Sequence, residues 1–385
     1  MRIVFFASTD DCLGGAKSLL ELVSLLKKNG HEIIVINPYK NNLNKKLDEM
    51  KIENYSGNYH LNICKMGNNN FLNAFKFLIK FIRYKVLQQY AKIKIDKLVD
   101  FRNVDIIHTN NSVEDISIYF VKKYNIPHVW HLREFGDLDF NFKYFHKDIG
   151  KYITDNSDKA IAISNAVKEA WISKGADPKK IVVICHGVNS NIIVPGNREE
   201  NRSKIKIVFA GTIIESKGQF DFIKIINSLS NNIKNRIKLD LYGTCEESYK
   251  QEIVSYIKNN NLQNIITLKG YSSSLSKELK NYDIGIVNSR CEAMGRVTIE
   301  YMLAGLCVFA SNRGANVELL DNGNTGMIFD YHNQEDIRNK LSYLISNPKL
   351  IDKFGLSARN SALKNYDINR NIQKFIKLYR SLSNE

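Results

Sequence analysis

Two glutamates, Glu292 and Glu300, are separated by seven residues and frame the start of an expected helix over about 295–304. Glu300 falls among Val297, Ile299, Met302 and Leu303, where a carboxylate is costly unless something hydrogen-bonds to it. Glu292 sits in the loop just ahead, where backbone N–H groups and the helix dipole attract anions. From Gly295 to Glu300 a helix rises about 7 Å. That distance suits a ligand with a diphosphate at the helix start and a hydroxyl-bearing ring further along. A cation is placed for similar chemistry. Lys217 lies near the N-terminus of a helix over 219–228, where the dipole makes an ammonium unwelcome unless an anion stands between them. No His/Asp cluster suggests a metal site, so neither a metal nor a resident cofactor is expected.

The elements that hold these residues read clearly. An apolar run over 284–287 is a buried strand ending in the turn Asn288-Ser289-Arg290. Gly305 is placed to end the helix, and a second buried strand follows over 306–310. This strand–loop–helix–strand unit, with E-A-M-G-R-V-T-I-E inside it, resembles the E-x7-E signature of the retaining glycosyltransferases of GT-B fold. The similarity is to the large sequence family numbered four, and within it to bacterial cell-surface members. It implies an α/β chain of two Rossmann-like domains facing each other across a cleft. It also implies that Glu292 contacts the sugar of a nucleotide-sugar donor and Glu300 the ribose hydroxyls, with Met294, Gly295, Arg296 and Val297 between them. Lys217, in a G…K-G loop, would neutralise the donor diphosphate. That family commonly has Arg after the loop's first glycine. Here Thr212 stands there, able to hydrogen-bond but not to supply charge, and Arg296 is expected to take that role.

The chain opens as βαβ, with a strand over 2–7, a helix over 16–29 and a strand over 31–36. Gly14-Gly15 at the helix start lets backbone approach an anion, and in the resembled family such a pair faces the donor phosphates. It is not G-x-G-x-x-G, which disfavours a nicotinamide or flavin site. Residues 37–70 are Asn-rich with weak periodicity, and no element is assigned to them. Strands over 104–108 and 127–130 follow, the second running into His131-Leu132-Arg133-Glu134. This segment resembles the family's active-site histidine stretch, which implies His131 near the donor sugar and Arg133 and Glu134 on the acceptor side. Strands over 160–164 and 181–185 flank a helix over 165–174. The expected domains are 1–190, a linker over 191–203, a donor-binding domain over 204–367, and a helix over 368–385 that crosses back to the first. In the second domain, strand ends at Gly243 and Gly270-Tyr271 would border the nucleotide, with Tyr271 close to the base.

A length of 385 residues favours two domains, and no apolar run reaches membrane-span length. Six scattered cysteines without C-x-x-C fit a reducing cytosol. The net charge of +15 reads either as an anionic partner or as the Lys-, Asn- and Ile-rich composition of AT-rich genomes. Residues 71–102 carry eight Lys/Arg among large apolar residues. They read either as a basic helix lying on an anionic membrane or as a core-covering helix with a solvated face. The expected function is retaining transfer of a hexose-type sugar to a cell-surface glycan or lipid-linked acceptor. The expected place is the cytoplasm, at the inner face of the plasma membrane. A nucleotide-sugar epimerase and a basic nucleic-acid binder are the alternatives. The second lacks a visible recognition module, so no nucleic-acid partner is expected.

Overall fold

The computed structural model describes residues 1–8, 14–65, 70–136, 142–196 and 202–383. The chain divides into two compact units, Met1–His186 with Asn369–Glu385, and Gly187–Ile368.

The first unit is built on β1 (Arg2–Phe6), β2 (Glu32–Asn37), β3 (Glu53–Ser56), β5 (Ile106–Thr109), β6 (His128–Leu132), β8 (Lys159–Ala162) and β9 (Ile181–Val183). These form one parallel sheet in the order β3-β2-β1-β5-β6-β8-β9. A separate antiparallel pair joins β4 (Ile63–Lys65) to β7 (Phe142–Tyr144). β1 and β2 are nearly continuous apolar runs because helices cover both faces of the sheet. Ile3 and Phe5 pack with Leu19, Leu22, Val23 and Leu26 of the helix Gly14–Lys28. Val4 and Phe6 point the other way, to Ala91, Ile95, Phe101 and Phe120. The helix Ile368–Ser383 adds Ile372, Phe375, Ile376 and Tyr379 to the first of these cores, so the chain's last helix belongs to the unit its first strand begins.

The second unit holds β10 (Ile205–Ala210), β11 (Ile237–Tyr242), β12 (Ile266–Gly270), β13 (Ile284–Val287), β14 (Cys307–Ser311) and β15 (Gly326–Phe329). All are parallel, in the order β12-β11-β10-β13-β14-β15. Both sheets therefore reverse their direction of growth beside their first strand, the doubly wound pattern.

The stretch 37–70, whose weak periodicity predicts no element, holds the helix Asn42–Glu49 as well as β3 and β4. Asn41 caps that helix and Asn44 reaches back to the Asn41 N–H, a capping box built from asparagines. Only Leu43 and Leu47 bury apolar surface there, too few for a visible period. The segment expected over 71–102 is the helix Asn70–Leu98 followed by a turn at Phe101–Asn103. Cys12, most of the loop before Gly14, and part of the linker lie outside the described residues.

Candidate active site

In the second unit the reversal falls between β10 and β13, and open α/β sheets bind ligands beyond the strand ends at such a point. Two loops meet there. After β10 the chain runs through Gly211 and Thr212 to Lys217. After β13 it runs through Asn288 to Glu292 and Gly295. Arg290 N–H donates to Ser216 O at 2.9 Å, and Asn288 Nδ2 donates to Gly218 O at 3.0 Å. Gly218 is left-handed at φ +72°, and a Cβ there would lie 2.5 Å from Asn288 O, so the loops approach this closely only with glycine.

Across this junction Lys217 Nζ donates to Glu292 Oε2 at 2.8 Å, both side chains partly shielded from water. The Glu292 backbone is held from a third loop, its carbonyl accepting from Ala315 N–H at 2.7 Å. The helix Arg296–Leu303 starts immediately after, with left-handed Gly295 at its N-cap and no side chain capping it. Its positive dipole end thus stands beside the Lys217–Glu292 pair, with no N-cap side chain to accept from it. Glu300, one turn in, accepts from Arg296 Nε at 3.1 Å, which supplies the partner its apolar surroundings demand. Tyr301 fixes the helix to the sheet: its buried hydroxyl accepts from Ala210 N–H at 2.7 Å, at the end of β10. Thr298 Oγ1 donates to Asn316 Oδ1, and Ser311 Oγ donates to Ser289 O, both at 3.0 Å.

Apart from Gly14 and Gly15, the other expected donor residues lie on the same unit. Gly243 follows β11, its N–H donating to Gly270 O at 2.9 Å, and Tyr271 follows β12 with 65% of its surface exposed. Thr212 is exposed, and its carbonyl accepts from Gln219 Nε2 at 3.0 Å. Met294 is buried and Val297 half-buried. Arg296, expected to replace a missing arginine, engages Glu300 with its Nε, so its charge already sits at the helix start. Tyr301, Asn288, Thr298, Asn316 and Gly314 carry no expected role: their contacts are long-range, and only the polarity of Asn288 and Thr298 beside apolar runs marks any of the five.

In the first unit Gly14 and Gly15 open the helix Gly14–Lys28. His131 is fully buried and packs on Phe375, ring centroids 5.7 Å apart. Its Nδ1 lies 3.3 Å from His108 Nε2, and His108 Nδ1 lies 2.8 Å from the buried Tyr379 hydroxyl. With Tyr379 donating to His108, the His108 Nε2–H donates to His131 Nδ1. His131 then carries its proton on Nε2, an atom with no hydrogen-bond partner among the described residues. Burial holds both imidazoles well below the usual histidine range. Arg133 donates to Asn110 Oδ1 at 3.1 Å, and Glu134 accepts from Ser112 N–H at 2.8 Å and from its hydroxyl. Among the described residues no three His, Cys, Asp or Glu side chains are grouped to hold a metal ion.

Two family models match complementary parts of the chain: Glycosyltransferase Family 4 over residues 14–191 and Glycosyl transferases group 1 over 191–361. The chain belongs to the family 4 glycosyltransferases. Within this family it is 25% identical to a poly(ribitol-phosphate) alpha-N-acetylglucosaminyltransferase of Staphylococcus aureus, over 68% of this chain and 51% of that protein. The chain thus spans about half the length of that relative. An uncharacterized glycosyltransferase of Methanocaldococcus jannaschii is 26% identical over 68% of this chain and 70% of its own. The fold is GT-B. Anabaena HepE, solved in complex with UDP and glucose, is similar at a TM-score of 0.77 and 16% identity, covering 99% of this chain and 100% of that one. A Rickettsia africae glycosyltransferase gives 0.77 at 24% identity, covering 99% and 98%.

Proposed function

We propose that this family 4 glycosyltransferase moves a hexose-type sugar from a nucleotide donor to a cell-surface glycan or lipid-linked acceptor, retaining anomeric configuration. The observation that carries the reading is the 2.8 Å Lys217–Glu292 pair beside the uncapped start of the helix Arg296–Leu303. In the reaction the bond from the anomeric carbon to the diphosphate oxygen breaks, and its electron pair stays on that oxygen. Lys217 exchanges its carboxylate partner for the diphosphate, and the helix N–H groups and Arg296 share the growing charge. Glu292, released from the ammonium, orients sugar hydroxyls, and Glu300 accepts from the ribose. The acceptor oxygen takes the place of the diphosphate on the anomeric carbon, and its proton passes to the departing diphosphate oxygen. Side chains supply the neutralising charge, so no metal enters this scheme. Arg133 and Glu134, beyond β6, belong to the acceptor side, and the His131 Nε2–H is a donor held for a sugar hydroxyl.

UDP-hexoses are the first donors to screen, since HepE was solved with UDP and glucose. A bound donor at 100 times its Kd adds about 2.7 kcal/mol of stability, readable as a raised melting temperature. Lys217→Ala is expected to lower the rate roughly a hundredfold, about 3 kcal/mol of lost charge stabilisation, with chelator leaving the parent rate unchanged. A Lys217→Ala protein that binds and transfers as the parent does overturns the reading. Slow release of free sugar without interconversion of the donor separates transfer from epimerisation.

A further inference from the structure

The helix Asn70–Leu98 is apolar on two opposite sides, and the fold uses only one of them. Tyr84, Gln88, Ala91 and Ile95 face inward and are buried, with Gln88 Nε2 and the Tyr84 hydroxyl both donating to the buried Asp115. The opposite side carries Phe75, Ile79, Ile82, Val86, Tyr90 and Ile93, each 49% to 70% exposed. At about 100° per residue these six lie within about 40° of one line along the helix. Among the described residues, 8 of the 17 exposed large hydrophobics fall on this single helix, so the stripe is a patch rather than scatter.

Charge frames the stripe on both sides. Lys76, Lys80, Arg83 and Lys94 line one flank, Lys85 and Lys92 the other. The helix's one carboxylate, Asp96, accepts from Lys123 Nζ at 2.5 Å and from the Tyr124 hydroxyl at 2.6 Å, which turns it to its own unit. A cavity of about 500 Å³ lined by this helix and the helix Ser117–Tyr124 adds Lys122 and Lys123 to the second flank. No described helix is long and apolar enough to cross a membrane.

We propose that this face docks the first unit flat on an anionic lipid bilayer, whichever reaction the second unit performs. The apolar stripe enters the boundary between headgroups and acyl chains, to a depth of roughly 5–10 Å, while the flanking cations meet lipid phosphates. A second copy of the chain is a poorer occupant. Pairing two such stripes sets cation against cation on both flanks, with the one carboxylate already engaged. Nucleic acid would meet the charges but leave the apolar stripe in water.

The test is co-sedimentation of the full chain with vesicles of phosphatidylcholine alone, and with about 30 mol % phosphatidylglycerol added. Binding is expected on the anionic vesicles, weakened at least about tenfold on neutral ones and by high salt. The exposed double variant I82D/V86D is expected to lose binding at least about tenfold with an unchanged melting temperature, and K80E/R83E likewise. Absence of vesicle binding by the parent overturns the proposal, as does binding that neither variant weakens. A concentration-dependent dimer abolished by I82D/V86D gives the face to a second copy and equally overturns it.

Discussion

Four buried side chains of the first unit set its response to pH in opposite senses. Burial holds His108 and His131 well below the usual histidine range and lowers His128 to about 4. Burial raises Glu114 to about 8, despite the Tyr59 hydroxyl 2.5 Å from its Oε1. Below pH 6.5 an unfolded chain takes up three histidine protons that the folded unit refuses, so acid destabilises. Glu114 works the other way. Between 4.5 and 8 the folded unit keeps a proton that the unfolded chain releases, so its contribution falls as pH rises. These four groups alone give a stability that climbs as pH rises toward 6.5, where three histidines outweigh one glutamate, and that declines from there toward pH 8 as Glu114 alone remains. Urea unfolding followed on the first unit across pH 4.5–8 is expected to show its midpoint highest near 6.5. A midpoint that rises steadily to pH 8 contradicts the neutral, buried Glu114. Glu114→Gln is expected to remove the alkaline decline and keep the acid one.

At the scale of elements, the loops at the end of β13 depend on a position that carries no chemistry of its own. Gly314 is left-handed at φ +59°, and a Cβ there would overlap the Glu292 carbonyl oxygen and amide nitrogen. Gly314→Ala combines an unfavourable backbone region with a backbone clash, about 2–4 kcal/mol together. The second unit's melting temperature is expected to drop by roughly 5–15 °C. Donor affinity should fall with it, because the loop displaced carries Glu292. An unchanged melting temperature would show that the loop yields freely and that Glu292 is not held. Nothing near Gly314 in the sequence announces this contact, since its partner lies 22 residues earlier on another loop. The same limit separates what was legible from what was not. β10, β13 and β14 stood out as apolar runs because strands buried on both faces need continuous apolar sequence. Glu292 and Lys217 were legible because both follow such runs and precede helices. Tyr301 was not, because an aromatic in an apolar helix looks the same whether its hydroxyl is orphaned or takes the Ala210 N–H. The helix Asn42–Glu49 and β3 were hidden for a different reason. Asparagine caps and a half-buried edge strand contribute too few apolar positions to make a period.

At the scale of the whole chain, one unit is continuous in sequence and the other is not. Gly187–Ile368 contains every strand of its sheet, whereas Met1–His186 is completed only by the helix that follows residue 368. That helix places Ile372, Phe375, Ile376 and Tyr379 in the core under β1, each no more than 4% exposed, and the Tyr379 hydroxyl reaches His108. Burying four such side chains is worth about 6–12 kcal/mol, the same size as the 5–15 kcal/mol by which a whole domain is stable. Removing residues 369–385 therefore uncovers one face of the first sheet and leaves the second core, built from Ile207, Phe209, Leu239 and Leu341 among others, without a missing member. Calorimetry of the truncated chain is expected to show the transition of the first unit lost or shifted far down. The second unit's transition should stay in place, and limited proteolysis should leave a protected fragment that begins near residue 187 and still gains stability from the donor. If both transitions move together, the two units unfold as one, and the last helix is a tie between them rather than a member of the first unit's core.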